Sequence, residues 1–182
     1  MRTFEEDLQV AMKYHGHLCS GQVIGVRMAR YGLQHLEITS PEKYKDLIVY
    51  VEADRCIADA VCIATFCTMG RRRLKWVDYG KMAASFFDLA TGKAVRISIK
   101  DSNKNPVDGE DIVTFWQKYT DDEIFKVQYV KINIPKEDLP GKPDQSFDCS
   151  RCGEKILDGR WVHHGSETIC RACATTPYYE FL

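Results

Sequence analysis

Four cysteines near the end of the chain constrain it most. Cys149 and Cys152 form one CxxC pair, Cys170 and Cys173 a second, and seventeen residues lie between the pairs. Each pair bends back so that both sulfurs meet one ion. Two such knuckles complete a tetrahedral four-thiolate site with no open position. Gly153 follows the first knuckle, where a tight turn calls for positive φ. The segment between the knuckles, Lys155 to Thr168, is expected to form the hairpin of a zinc ribbon. It carries too few apolar residues to fold alone, so the metal is expected to drive its folding. A thioredoxin-type redox reading fails because neither pair sits in a βαβ context.

The remaining four cysteines raise the question of a disulfide framework. The opening residues MRTFEEDLQVAMKYHG are mixed and acidic, without the apolar run of a secretory signal. No stretch approaches the roughly 20 apolar residues that span a bilayer. A cytoplasmic protein with reduced thiols is the expectation, and with it metal or thiol chemistry rather than structural disulfides. The chain has 182 residues, enough for one ordinary domain and a small appendage. Its formal net charge of -1 gives no overall attraction to nucleic acid or to an anionic membrane.

Local signals place the elements. Thr3 and Glu6 have capping-box spacing, and a helix is expected from there to about Gly16. A second helix follows Ser20 and runs to about Leu36. The β-branched run from Leu47 to Ala53 reads as a buried strand. A third helix is expected over 57–69, closed by Gly70 in the left-handed C′ position. Residues 74–77 read as a short strand. Residues 82–89 and 93–100 read as a hairpin around Ala90-Thr91-Gly92. Two short helices, over about 109–119 and 121–126, precede a last strand at 127–134. The fold class is therefore α+β: mixed helices and a sheet with antiparallel pairs. A core domain over 1–135, a polar Pro/Gly linker over 136–146 and a zinc module over 147–182 are the expected boundaries.

The second chemical cluster is His15-Gly16-His17-Leu18-Cys19-Ser20-Gly21, at the junction of the first two helices. His17 and Cys19 are two residues apart, so both can face one way in an extended segment. Imidazole with thiolate suits zinc, nickel, copper or iron. A cysteine at a helix N-terminus also has its thiolate favoured by the dipole. Cys56, between a buried strand and the next helix, could complete a three-ligand open site with His17 and Cys19. Asp59, one turn later, could orient a ligand or shuttle a proton. Cys62 and Cys67 fit the interior of an apolar helix as small hydrophobes. Zinc deaminases need a glutamate beside the histidine and a nearby CxxC, and His17-Leu18-Cys19 has neither. No P-loop and no dinucleotide fingerprint is present. In the ribbon, Arg151, Lys155, Arg160 and Arg171 are balanced by acidic residues, which favours a protein-contact or structural role over nucleic-acid binding.

The ordered set YHGHLCSGQVIGVRMA, EADRCIADA, DYGKMAASFFDLATGKAVRI and CSRCGE…ICRACA resembles the FmdE family, named for formylmethanofuran dehydrogenase, over nearly the whole chain. By position, the family's motif residues here are His15, His17, Cys19, Gly21, Cys56, Asp59, Gly80, Lys81 and Gly92. The resemblance implies an α+β core followed by a zinc-finger-like module. It also implies a homodimer and a metal site at His17, Cys19 and Cys56. Association with a molybdenum or tungsten enzyme complex is implied as well. The loop carrying Lys81, read from the residues alone as a solvated strand edge, would on this resemblance face the site and bind an anionic group. The resulting expectation is a metal-binding protein accessory to a molybdenum- or tungsten-dependent redox system. It would hold a structural zinc in the ribbon and a second transition metal (zinc, nickel or iron) in the core. Cys19, Cys56, Asp59 and Lys81 would be its reactive residues. The alternatives are a stand-alone metalloenzyme acting on a small anionic substrate, and a regulator binding nucleic acid or protein through the ribbon.

Overall fold

The structure, a computed structural model, describes residues 1–101, 103–143 and 145–182. The chain divides into two compact units, Met1–Asn133 and Ile134–Leu182.

The first unit opens with helix α1 (Phe4–His15). The Thr3 hydroxyl accepts from the Glu6 N–H, and the Glu6 carboxylate accepts from the Thr3 N–H, so the expected capping box forms. Gly16 closes the helix at φ 95°, donating its N–H to the Met12 carbonyl. Helix α2 (Ser20–His35) follows, then strand β1 (Leu47–Val51) and helix α3 (Cys56–Thr65). Strands β2 (Leu74–Trp76), β3 (Ala83–Asp88) and β4 (Ala94–Ile99) come next. Two short helices, α4 (Ile112–Gln117) and α5 (Asp121–Ile124), lead into β5 (Phe125–Tyr129).

The five strands form one sheet in the order β2-β1-β3-β4-β5. Only β1 and β2 run parallel, joined through α3; the other pairs are antiparallel. This is the expected α+β arrangement. The β3–β4 turn is held by Asp88, whose carboxylate accepts from Tyr44, Thr91 and the Ala90 N–H.

Two glycines set how closely α2 packs. A Cβ at Gly32 would lie 2.5 Å from ring carbons of Phe86, so the bare glycine lets α2 settle on β3. A Cβ at Gly21 would meet the Cys56 Cβ at 2.8 Å, and one at Gly25 would meet the Ala60 Cβ at 2.6 Å. Position 21 opposes 56 and position 25 opposes 60, so α2 and α3 lie side by side and point the same way. Both N-termini therefore fall at one end of the unit.

Some boundaries differ from expectation. Helix α3 stops at Thr65 rather than at Met69, because Phe66 takes the left-handed conformation (φ 57°) usually left to glycine. Its carbonyl is held by the buried Arg73 guanidinium, and the Thr65 hydroxyl turns back to the Val61 carbonyl. The last strand lies at Phe125–Tyr129 rather than 127–134, because its register is set by pairing with β4.

In the second unit, a 3-10 turn (Lys136–Asp138) occupies part of the expected linker; Asp144 of that stretch lies outside the described residues. Strands β6 (Ser146–Asp148) and β7 (Lys155–Leu157) form one antiparallel pair. Strands β8 (Trp161–His164) and β9 (Glu167–Cys170) form another, followed by one helical turn, α6 (Arg171–Ala174). The ribbon is thus two small hairpins rather than one. Its buried apolar cluster is only Cys149, Ile156 and Ile169, with Trp161, Val162 and parts of the other knuckle against them.

Candidate metal centres

The four ribbon cysteines meet. Each offers a sulfur within 4.8 Å of the other three. The first knuckle is the β6–β7 turn, where Gly153 at φ 77° donates its N–H to the Cys149 carbonyl. The second runs from the end of β9 into α6, where the Cys173 N–H donates to the Cys170 sulfur. Backbone N–H groups of Cys152 and Cys170 pull the Cys149 thiol down to about 6, so it is a ready thiolate. The hydrogen bond with Cys170 pushes Cys173 up to about 12. Four thiols so crowded do not all ionise in each other's company, and a divalent cation at their centre relieves that conflict. His163 and His164 are exposed on β8 and take no part. Among the ribbon's four named cations, Arg151 faces Glu167, Lys155 faces Asp148 and Arg160 faces Asp138, so three of the four are paired with a carboxylate.

The second cluster forms where α1 ends and α2 begins. His15, His17 and Cys19 each present a ligand atom, all within 4.8 Å of one another. Gly16 reverses the chain between the histidines, which brings their ring centroids to 4.7 Å. His17 is exposed, His15 mostly buried. The grouping differs from the expected His17, Cys19 and Cys56, because His15 joins it. In the sequence His15 belongs to the cluster and to the family's motif residues but not to the expected ligand set. What identifies it is Asp59, one turn into α3, whose Oδ2 lies 2.8 Å from His15 Nδ1. That bond occupies one ring nitrogen and orients the other. His15 Nε2 is buried and has no hydrogen-bond partner among the described residues. A buried ring nitrogen left bare is costly unless something binds it. A carboxylate–histidine pair presenting a free nitrogen is the arrangement that tunes a metal-bound imidazole.

Cys56 sits beside this group. Both Cys19 Sγ and Cys56 Sγ border the space over Gly21, at 3.7 and 3.6 Å from where its Cβ would be. Burial pushes the Cys56 thiol up, and the neighbouring Cys19 thiol adds to the effect. Cys19 is the N-cap of α2 and Cys56 the first residue of α3. The starts of two helices therefore meet at this sulfur pair. Gln22, fully buried, clamps the two helix starts: its Nε2 donates to the Cys56 carbonyl at 2.7 Å, and its Oε1 has no hydrogen-bond partner among the described residues. No sequence signal marked Gln22, since its role needs α3 beside α2.

The donor set of two imidazoles and a thiolate, with a second thiol adjoining, fits a borderline-soft transition metal. Cys62 and Cys67 are separate from it. Burial raises both thiols, Cys67 to about 11, as befits core residues. Lys81 follows Gly80 (φ 62°) in the β2–β3 connection, and its N–H donates to the Glu52 carbonyl just past β1. Its ammonium stands 5.6 Å from the Tyr79 ring centroid and is solvent-exposed. No helix among the described residues is long and apolar enough to cross a membrane.

Known proteins fit this picture. A crystal structure of a tungsten formylmethanofuran dehydrogenase FmdE-like protein from Syntrophus aciditrophicus matches with a TM-score of 0.62. That match covers 98% of this chain and 96% of the other at 23% identity, which shows a shared fold. A protein from Archaeoglobus fulgidus named as a probable S-adenosyl-L-methionine-binding protein is 27% identical over 198 residues, covering 92% of this chain. The chain spans about half of that relative's length (52%). Finally, the model of the family described as FmdE, molybdenum formylmethanofuran dehydrogenase operon, matches residues 14–131, which include the whole His15–Cys19 cluster, Cys56 and Asp59. By that match over most of its length, the chain belongs to the FmdE family.

Proposed function

We propose that the protein carries two metal ions with different tasks, and that it serves a molybdenum- or tungsten-dependent redox enzyme in the cytoplasm. The ribbon thiolates hold a structural zinc. The core unit holds one transition-metal ion (zinc, nickel or iron) through His15, His17 and Cys19, with Cys56 beside it. The observation that carries this reading is His15: Asp59 fixes Nδ1, and the buried Nε2 has no other partner among the described residues. A bound ion there would supply Lewis acidity or electron transfer. The chain's own residues supply the rest. Asp59 orients the imidazole, Gln22 holds the two helix starts together, and Cys56 keeps a proton beside Cys19. Lys81, on an exposed loop, is the candidate to attract an anionic partner group. A homodimer and docking to the larger redox enzyme complete the proposal.

Metal analysis tests it. The purified protein should contain two ions per chain. A His15→Ala, His17→Ala, Cys19→Ala variant should retain one, and Cys152→Ser should retain the other. Cobalt(II) loading should give a thiolate-to-cobalt band partly lost in Cys19→Ser. One ion per chain, unchanged in the triple variant, would overturn the core site. The relative named for S-adenosyl-L-methionine makes that molecule the first small ligand to titrate, with a heat signal lost in Cys19→Ser as the expected result.

A further inference from the structure

Several buried charged side chains outside the two clusters are paired. Asp7 lies between Arg2 and Arg30, and Arg96 grips Glu52 with two hydrogen bonds. The sulfurs of the core are different. Cys67 is buried, its sulfur against the Leu47 and Thr65 carbonyls. Cys62 lies further along α3. Cys19 and Cys56 are both free and both only partly buried, and their sulfurs border one space over Gly21.

The geometry points to Cys19 and Cys56 as a reversible dithiol–disulfide pair that excludes metal from the core site when oxidised. Disulfides form only where two Cα atoms and their Cβ vectors are already well placed. Here the approach is set by rigid elements. Gly21 has no side chain, which lets the first turns of α2 and α3 touch, and the Gln22 amide fixes Cys56 against α2 at 2.7 Å. Both sulfurs reach the same small space over Gly21. The chemistry needs a two-electron acceptor, and a low-molecular-weight disulfide such as glutathione disulfide supplies it. The Cys19 thiolate attacks one sulfur of that disulfide, breaking its S–S bond and releasing one glutathione thiolate. Cys56 then gives its proton to the released thiolate and attacks the Cys19 sulfur of the mixed disulfide. The Cys19–Cys56 bond forms and the second glutathione leaves as a thiolate, which solvent protonates. Two protein thiols are oxidised and one glutathione disulfide is reduced to two thiols. The Cys19 sulfur is then no longer a thiolate and cannot ligate an ion. The pair's oxidation does not depend on whether an ion binds; release of the ion rests on the metal reading above.

The test treats chelated and metal-loaded protein with glutathione disulfide, blocks free thiols with N-ethylmaleimide and maps the peptides by mass spectrometry. The expected result is one cross-linked peptide pair joining Cys19 to Cys56, reversed by dithiothreitol, with loss of one ion per chain from the loaded protein. In Cys56→Ser the reaction should stop with glutathione on Cys19. Ribbon oxidation is read separately, since its cysteines fall on other peptides. Chelated wild-type protein in which Cys19 and Cys56 stay free, or carry separate glutathiones, overturns the proposal. Cross-linking in a protein that never binds a core ion supports the proposal and overturns the metal reading instead; a core ion without cross-linking of the chelated form does the reverse.

Discussion

Replacing Gly21 with alanine separates the geometry of the core site from its chemistry. The new methyl group would lie 2.8 Å from the Cys56 Cβ and 3.6 to 3.7 Å from the two sulfurs. Ordinary carbon–carbon contact is about 3.5–4.0 Å, so α2 and α3 must part by about 1 Å at this end. Overpacking of this kind costs about 1–3 kcal/mol. The helix gains at most about 1 kcal/mol from losing a glycine, and less in its first turn. The net loss is then about 0–3 kcal/mol, small enough for the protein to fold. The site is less forgiving, because ligand distances hold to about 0.2 Å. Gly21→Ala should lower core-metal affinity at least tenfold against a competing chelator, with the ribbon ion unchanged as internal reference. Chelator competition and thermal unfolding on the same preparation check it. A variant with wild-type core affinity and wild-type melting temperature would refute the claim that close approach of α2 and α3 builds the site.

Three further outcomes follow from other contacts. Gly32→Ala forces a methyl into the Phe86 ring at 2.5 Å, both residues being buried, and should destabilise the first unit by about 2–3 kcal/mol in denaturant unfolding, partly relieved by Phe86→Leu. For Asp88, burial alone would raise the carboxyl, but hydrogen bonds from Thr91, Tyr44 and nearby backbone outweigh it and hold it below its ordinary value. Its stabilisation is therefore present above the ordinary carboxylate pKa of about 3.9 and lost as pH falls through the lower folded value. The stability gap between wild type and Asp88→Asn should shrink over that range, and an unchanged gap from pH 5 to pH 2 contradicts the assignment. Removing the ribbon metal should unfold the second unit, whose apolar core is three buried residues, seen as loss of the Trp161 near-UV signal and of amide protection on β8 and β9. Retained protection after complete chelation would show that the module folds without metal.

Local rules decided what lay within a few residues. Thr3 with Glu6 forms the expected capping box, and Thr120 with Glu123 forms another at the same spacing. Gly16 and Gly92 supply the positive φ that their turns need. The ribbon ligands were legible because a CxxC knuckle is itself a local structure, and its spacing encodes the shared ion. The end of α3 was not legible. Phe66 in a left-handed conformation is unfavourable by itself and is tolerated because Arg73, seven residues on, is buried against its carbonyl.

The core site divides in the same way. The sequence by itself determined that two histidines, a cysteine and two glycines crowd one helix junction, with Cys56 and Asp59 at the start of another helix. Only the tertiary structure decided which of them meet. His15 becomes a ligand candidate through Asp59, forty-four positions away, and Cys19 finds Cys56 across Gly21. Those meetings depend on α2 and α3 lying side by side and parallel to one another. That arrangement is set by packing of Gly21, Gly25 and Gly32 against Cys56, Ala60 and Phe86, and contacts between elements this distant in sequence leave no periodicity in either one.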